Sequence, residues 1–185
     1  MLQDIIGRVR RLLLSPAEEW AAINGEPADM GAIYKNYVLP LVVFSALAGA
    51  VGSMMLGANL AIVLRELLFA AIAGAAGVYL FSLIIDALAP TFGGQKNASQ
   101  AFKVAAYAPT ATWVASVFNI IPVLSILSIL GLYSLYLLYV GLLELMHCPK
   151  DKAVIYTIVV FACAIVLALV LNFLLVPIMI GASIF

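Results

Sequence analysis

The sequence predicts an all-α polytopic membrane protein, a bundle of five transmembrane helices with a short amphipathic N-terminal cytoplasmic helix. Of the 185 residues, 66% are hydrophobic and only 10% are charged, whereas an ordinary soluble domain carries roughly 25% charged residues. The mean hydropathy is +1.19, and half of the charged residues lie before position 36. These observations exclude a soluble globule. The zero formal net charge offers nucleic acid no electrostatic attraction, so no nucleic-acid partner is expected.

Two regions follow from the charge distribution: a cytoplasmic amphipathic N-terminal segment over residues 1–35 and a five-span transmembrane domain over 36–185. The charge-free runs are 36–64, 67–85, 104–143 and 153–185, and a span needs about 20 apolar residues. The run 104–143 is too long for one span, and Pro122 divides it because proline lacks an N–H and disfavours helix in the residue before it. The predicted spans lie near 37–56, 60–88, 102–120, 123–146 and 153–180.

The first 14 residues have the pattern of an amphipathic helix. One face of the helical wheel collects their apolar side chains, which are Leu2, Ile5, Ile6, Val9, Leu12 and Leu13. We expect this helix to lie in the inner headgroup layer, with Arg8, Arg10 and Arg11 facing lipid that includes anionic headgroups. Packing against the bundle and binding of a partner protein are the alternatives. Ser15 followed by Pro16 predicts the start of a second short helix.

The distribution of lysine and arginine predicts the orientation. Nearly all of them fall in the N-terminal segment and in the loops on the same side of the predicted spans, which the positive-inside rule places in the cytoplasm. We therefore expect a cytoplasmic N-terminus and an outward C-terminus. Arg65 is the exception, because it is predicted near the outer end of the second span. We interpret it, with its neighbour Glu66, as an interfacial pair; a role in a pore mouth is the alternative.

Small residues recur at helical spacing within the first two predicted spans. Such pairs let helix backbones approach closely in lipid, so they predict internal packing of the bundle, with a homodimer seam as the alternative. The pairs are Ser45 and Gly49, Ala48 and Gly52, Ala70 and Gly74, and Ala73 and Gly77.

A few polar residues inside the spans are candidates for function, because an ionisable group in the bilayer is costly. Asp86 and Glu144 are predicted near the cytoplasmic surface, at a depth similar to that of Lys103. They either fix helix register at the interface or form a proton or cation site. The other candidate intramembrane residues are Tyr107, Asn119 and Asn172, and for the two asparagines interhelical hydrogen bonding is expected.

No motif for catalysis or metal binding occurs in the sequence. The patterns GxSxG, HExxH and Walker A are all missing, and a nucleophile and base at recognisable spacing are missing too. His147 is the only histidine and has no cluster of other ligands beside it, which disfavours zinc. We therefore expect no catalytic residues, no metal, no cofactor and no enzymatic activity.

A series of short motifs resembles the Yip-domain family, the Ypt/Rab-interacting membrane proteins, in its bacterial branch. The motifs run from Leu14-Ser15-Pro16 with Trp20, through Phe92-Gly93-Gly94, Ser99 to Phe102 and Ala106-Tyr107-Ala108-Pro109, to Pro122, Gly131 to Tyr133 and Gly141. The resemblance implies a cytosolic N-terminus and an outward C-terminus, in agreement with the charge distribution. Eukaryotic members are associated with Rab GTPases and membrane traffic, whereas this chain has only a short cytosolic segment and no clear Asp-Leu-Tyr-Gly-Pro motif.

Two functional classes follow. The first is a non-enzymatic membrane scaffold or adaptor in the bacterial cytoplasmic (inner) membrane, interacting with lipid and with a partner protein. The alternative is a small transporter or channel, as a homo-oligomer, using the intramembrane carboxylates Asp86 and Glu144 with Tyr107. The sequence identifies neither the substrate nor the partner.

Overall fold

A computed structural model describes residues 2–181, with side chains described for 3–174, and within that range every regular element is helical. The α-helices are α1 (Leu2–Leu14), α2 (Pro16–Gly25), α3 (Met30–Ile33), α4 (Leu39–Met55), α5 (Leu60–Leu88), α6 (Ala98–Tyr107), α7 (Thr110–Ala115), α8 (Tyr133–Leu145) and α9 (Lys150–Gly181). A π-helical turn over Tyr34–Val38 joins α3 to α4, and 3₁₀ segments cover Ala89–Phe92, Ser116–Ile120 and Pro122–Leu132.

Among the described residues, four helical stretches are long and apolar enough to cross a membrane: Met30–Met55, Leu60–Phe92, Pro122–Leu145 and Lys150–Leu174. They correspond to four of the five predicted spans. The remaining prediction, 102–120, is not one continuous helix, so the five-span count is not confirmed. Its helix α6 ends at Tyr107, and α7 starts only after Pro109, because proline has no N–H to donate to the preceding turn.

The π-helical turn before α4 accommodates a proline. Pro40 cannot donate to the carbonyl four residues earlier, and its ring would clash with that carbonyl in a regular helix. The chain widens instead, and the Leu39 N–H donates to the Tyr34 carbonyl five residues back. Helix Met30–Met55 thereby stays continuous despite its proline.

The densest core lies at one end of the bundle. Buried side chains from the C-terminal half of α5, from α6, from the end of α8 and from the start of α9 meet there; they include Ile85, Phe102, Leu142, Met146 and Tyr156. We call this region the packed end. Toward the opposite end the large apolar side chains are exposed, among them Leu64, Leu68, Ile126, Ile129 and Leu169. An apolar surface of this kind suits contact with lipid.

Helices α1 and α2 form a hairpin that packs on the bundle. Leu12, Trp20 and Ile23 are fully buried in the same core as the packed end. The Tyr133 hydroxyl donates to the Leu13 carbonyl at 3.2 Å, which places the α1–α2 turn beside the first turn of α8. Packing on the bundle was the alternative to a helix lying freely in the headgroup layer, and the structure has this arrangement.

Two of the predicted small-residue positions are sites of close internal approach. A Cβ on Gly52 would overlap the backbone carbonyl oxygen of Asn119, and a Cβ on Gly74 would lie 2.6 Å from Val42 Cγ1. Gly49, in contrast, has nothing within 4 Å of a built Cβ. The glycines at 52 and 74 therefore serve packing within the chain.

Candidate functional site

The contact between the hairpin and the bundle is organised around a half-buried arginine. Arg8 Nη2 donates to Glu26 Oε1 at 2.7 Å, Arg8 Nη1 lies 3.0 Å from Glu19 Oε1, and the guanidinium carbon is 5.5 Å from the centre of the Tyr107 ring. Burial disfavours the charged form, but the hydrogen bond to Glu26 and the neighbouring negative charges outweigh it, so the pKa of Arg8 is raised. Arg8 thus holds α1 to α2 and to α6.

A second arginine completes the pairing inside the hairpin. Arg11 Nε donates to Glu19 Oε2 at 2.6 Å, and Arg11 Nη2 donates to Glu19 Oε1 at 3.2 Å. This two-point geometry is the favourable one for a guanidinium and a carboxylate. The hydrogen bond with Glu19 raises the pKa of Arg11. The buried Glu19 side chain is therefore shared by two arginines.

A buried lysine joins the end of α2 to α6. Lys103 is 1% exposed, and its Nζ donates to the Ile23 carbonyl at 2.8 Å and to the Glu26 carbonyl at 2.6 Å. Carbonyls at the C-terminus of a helix lack partners within the helix and attract cations. Burial lowers the pKa of Lys103, and the negative charge of Glu26 opposes that shift.

We call the contact made by Arg8, Glu19, Trp20, Glu26, Lys103 and Tyr107 the hairpin joint.

Replacing Lys103 by methionine tests the contribution of these two bonds. The substitution leaves the Ile23 and Glu26 carbonyls without their charged donor, and we expect the free energy of unfolding to fall by about 2 kcal/mol. Chemical unfolding in mixed micelles measures the change. Lys96→Met is the matched control, because Lys96 is exposed; an equal effect of the two substitutions would refute the assigned role of Lys103.

The apolar centre of the hairpin joint is Trp20. Its indole is fully buried and meets the Tyr107 ring edge-on, with 6.3 Å between ring centres. A Cβ on Gly141 would lie 2.9 Å from Trp20 Cη2, so the indole occupies the space that this glycine leaves on α8. Nearby, Asn24 donates from Nδ2 to the Glu144 carbonyl at 3.3 Å.

The three arginines predicted to face lipid have different surroundings. Arg8 pairs with Glu19 of α2 and with Glu26 just after that helix, and Arg11 pairs with Glu19; the expected contact of these arginines with lipid stays a prediction. Arg10 is exposed. It shares the outer face of α1 with Ile6 and Leu14, which are 59% and 70% exposed.

Asp86 and Glu144 do not form an ion pair with Lys103 within the described residues. Asp86 is 9% exposed, and among the described side chains and backbone its Oδ1 finds no hydrogen-bond partner. Glu144 is half-buried and takes part in the site through its backbone carbonyl. The part of the chain that the structure describes contains no group of three metal-ligating side chains.

The other polar candidates have local roles. Tyr107 is buried and packs on Tyr37, with ring centres 4.7 Å apart. Asn119 contributes its backbone to the close approach at Gly52. Asn172 donates from Nδ2 to the Ala168 carbonyl of its own helix at 3.2 Å, rather than to another helix.

The glycines of the motifs lie at turns and close contacts. Gly93 has a φ of +76° and ends the 3₁₀ segment before α6, a conformation that favours glycine. A Cβ on Gly94 would lie 3.0 Å from the Met146 carbonyl oxygen, and one on Gly131 would lie 3.1 Å from Thr112 Cα. Gly94 therefore lets the loop approach the end of α8, and Gly131 lets α7 approach the 3₁₀ segment Pro122–Leu132.

Three of the motif residues, Pro109, Pro122 and Tyr133, lie where helical segments begin. Pro109 precedes α7, and Pro122 begins the 3₁₀ segment that leads into α8. Tyr133 is the first residue of α8 and holds the α1–α2 turn through its hydroxyl. The contacts of these motif residues therefore mainly hold helices and turns in place.

Two cavities lie among the membrane-crossing helices. The larger, about 770 Å³, is bounded by α5, α6, α7, α8 and α9. The smaller, about 500 Å³, lies between α4, α5 and the 3₁₀ segments, and its polar lining residues are Ser45, Ser53, Glu66, Asn119 and Ser125. Neither of these cavities is lined by Asp86 or Glu144.

Two features of the site were not predicted from the sequence. The contact between Trp20 and Gly141 joins residues 121 positions apart, and the only signal was that both belong to the motif series. Glu66 was interpreted with Arg65 as an interfacial pair, but its side chain lines the smaller cavity. The sequence did contain a signal against the pair: adjacent residues on a helix point in different directions, so Arg65 and Glu66 do not face each other.

Comparison with known proteins identifies one family. The family model described as the Yip1 domain matches residues 10–171, which is most of the chain. No curated protein matches the chain, and no solved structure matches it. The matched region begins within α1 and includes every residue of the hairpin joint except Arg8.

Proposed function

The chain belongs to the Yip1 domain family, and from that premise we propose that it is a non-enzymatic membrane scaffold or adaptor. The family match and the four apolar helices make it a multi-pass integral membrane protein. The observation that supports an adaptor is the hairpin joint, which fixes a polar N-terminal hairpin to the membrane domain. The proposed partners are membrane lipid and a second protein.

A fixed hairpin suits an adaptor because it presents one surface in one orientation. The outer face of α2 carries Glu18, Ala21 and Ala22, all exposed, while the opposite face is anchored through Trp20 and Ile23. Ordering a loose segment on binding costs free energy, and a surface that is already ordered avoids that cost. The exposed face of α2 is therefore the proposed contact for the partner protein.

The outer face of α1 is the proposed lipid contact. The α1–α2 turn lies beside Tyr133. At a rise of 1.5 Å per residue, Tyr133 is about 18 Å along α8 from Leu145. Both residues belong to the stretch Pro122–Leu145, which is long enough to span the membrane. Leu14 at this turn and Ile6 are exposed, and Arg10 lies between them on the same face. The apolar side chains suit contact with acyl chains, and the long side chain of Arg10 can extend from there toward anionic headgroups.

The proposed location is the bacterial cytoplasmic membrane, with the N-terminus in the cytoplasm and the C-terminus outside. The support is the concentration of lysine and arginine in the N-terminal segment and in the loops of the packed end, such as Lys96, Lys150 and Lys152. This orientation places the exposed face of α2 on the side where a cytosolic partner would meet it.

Site-specific photocrosslinking in cells tests the adaptor role. A photoreactive amino acid in place of Ala22 is expected to crosslink one discrete protein, because Ala22 lies on the exposed face of α2. The same group in place of Leu124, which is exposed at the opposite end of the bundle, is the control and should not capture that protein. Identical products from both positions, or none from Ala22, would contradict the proposal.

Transport is the second candidate, and a specific observation favours it: Asp86 has a buried carboxylate oxygen without a partner in a membrane-crossing stretch. Such a group is a candidate for proton or cation binding. A transporter predicts ion-dependent flux into proteoliposomes that Asp86→Asn and Glu144→Gln abolish. Flux equal to that of protein-free liposomes, or equal flux in both variants and the unchanged protein, would refute it.

A further inference from the structure

We propose that the smaller cavity binds an organic cation that carries a primary ammonium group, with Glu66 as its counter-charge. This binding site lies at the end of the bundle opposite the packed end and does not depend on the adaptor role. Its walls come from α4, α5 and the 3₁₀ segments Ser116–Ile120 and Pro122–Leu132.

The cavity exists because small residues line it. Glycines and alanines of α4 and α5 form much of its wall; they are Ala46, Gly49, Ala50, Gly52, Ala70 and Gly74. The close approach at Gly52 holds α4 against the chain at Asn119, so one side of the cavity is fixed. Its volume of about 500 Å³ is in the range of small-molecule sites, which are mostly apolar with a few placed polar groups.

The carboxylate on the wall of the cavity belongs to Glu66, an exposed residue of α5. Within the described residues, the Glu66 carboxylate has neither a hydrogen bond nor an ion pair. Arg65 is its neighbour in sequence, but consecutive residues of a helix do not face each other. Glu66 lies about 9 Å along the helix from Leu60, within a membrane-crossing stretch. An unpaired carboxylate in such a stretch attracts a positive charge from its surroundings.

The lining favours an ammonium ion over a metal ion. Calcium takes six to eight oxygen ligands and usually several carboxylates, whereas this cavity offers one carboxylate. The other polar lining residues are Ser45, Ser53, Asn119 and Ser125, whose hydroxyl and amide oxygens can accept from an N–H donor. Trp113 adds an aromatic ring to the wall, and aromatic rings attract organic cations.

Calorimetric titration of the full chain tests the site. The protein is placed in phosphatidylcholine nanodiscs, which contain no primary amine, and titrated with 2-phenylethylamine, with its neutral analogue 2-phenylethanol as the reference and empty nanodiscs subtracted. We expect saturable binding of the amine and none of the alcohol. Glu66→Gln should weaken amine binding at least tenfold, whereas Glu18→Gln, on the exposed face of α2, should leave it unchanged.

A second variant separates a lost site from a misfolded protein. Ala70→Leu fills the cavity without removing the carboxylate and should reduce amine binding as strongly as Glu66→Gln. Equal amine affinity in the unchanged protein and in Glu66→Gln, or no saturable binding by the unchanged protein, would overturn the proposal.

Nanodiscs that contain phosphatidylethanolamine distinguish the two natural sources of the ammonium group. Competition by this lipid, together with its retention by the unchanged protein but not by Glu66→Gln in native mass spectrometry, would identify a lipid headgroup. Amine binding that is indifferent to phosphatidylethanolamine would identify a soluble amine. Both results support an ammonium site.

Discussion

Replacing Gly52 by alanine is expected to lower the free energy of unfolding by about 3 kcal/mol, at the upper end of the usual cost of overpacking. The added methyl group would overlap the backbone carbonyl oxygen of Asn119. A backbone atom cannot move aside as the end of a side chain can, so α4 and the 3₁₀ segment Ser116–Ile120 would have to separate. The same movement would open the wall of the smaller cavity.

Gly49→Ala is the matched control for this prediction. It places the same methyl group one turn earlier on the same helix, where nothing lies within 4 Å. Its stability should be unchanged or higher by about 0.5–1 kcal/mol, since alanine is the better helix former. Chemical unfolding in mixed micelles measures both variants. Equal stability of Gly52→Ala and Gly49→Ala would show that α4 does not approach Asn119 as described.

Trp20→Ala should have the largest effect on the hairpin. Trp20 is fully buried between α8 and Tyr107, and truncation of a buried tryptophan costs about 3–5 kcal/mol. Because the indole lies on α2 and its partners lie in the bundle, the loss falls on the contact between the two. We expect the hairpin to detach while the spanning helices remain folded.

Limited proteolysis of the protein in nanodiscs measures this detachment. Trypsin should cleave at Arg8 and Arg11 of the Trp20→Ala variant much faster than in the unchanged protein, where both guanidinium groups are paired. Ile6→Ala is the control, because Ile6 is 59% exposed and its truncation should change stability by less than about 0.5 kcal/mol. Cleavage at the same rate in the unchanged protein and in Trp20→Ala would refute the anchoring role of Trp20.

The class of the protein and four of its spans could be predicted from the sequence, because a membrane span is recognised from the composition and the length of an apolar run. The predicted span 102–120 was different: its residues are apolar, but Pro109 divides it into α6 and α7. Only Pro122 was predicted to divide the apolar run 104–143. Which proline ends a helix depends on whether neighbouring groups can satisfy the freed carbonyls, and that is a tertiary property.

The site was predicted less completely, because it depends on long-range pairing. Lys103 and Tyr107 were selected as polar residues in a span, and both belong to the hairpin joint. The acidic partners of the arginines, Glu19 and Glu26, were recognised only as charges of the N-terminal segment. Periodicity identifies the face of a helix on which a side chain lies; it does not identify the helix that will cover that face.

Hydrogen exchange of the full chain in nanodiscs tests the central claim most directly, namely that the N-terminal hairpin is a fixed part of the membrane domain. The account predicts that the amides of α2 exchange slowly, on the same timescale as those of α6, because Trp20 and Lys103 tie the two helices together. Exchange of α2 as fast as that of an isolated peptide, with α6 still protected, would contradict it.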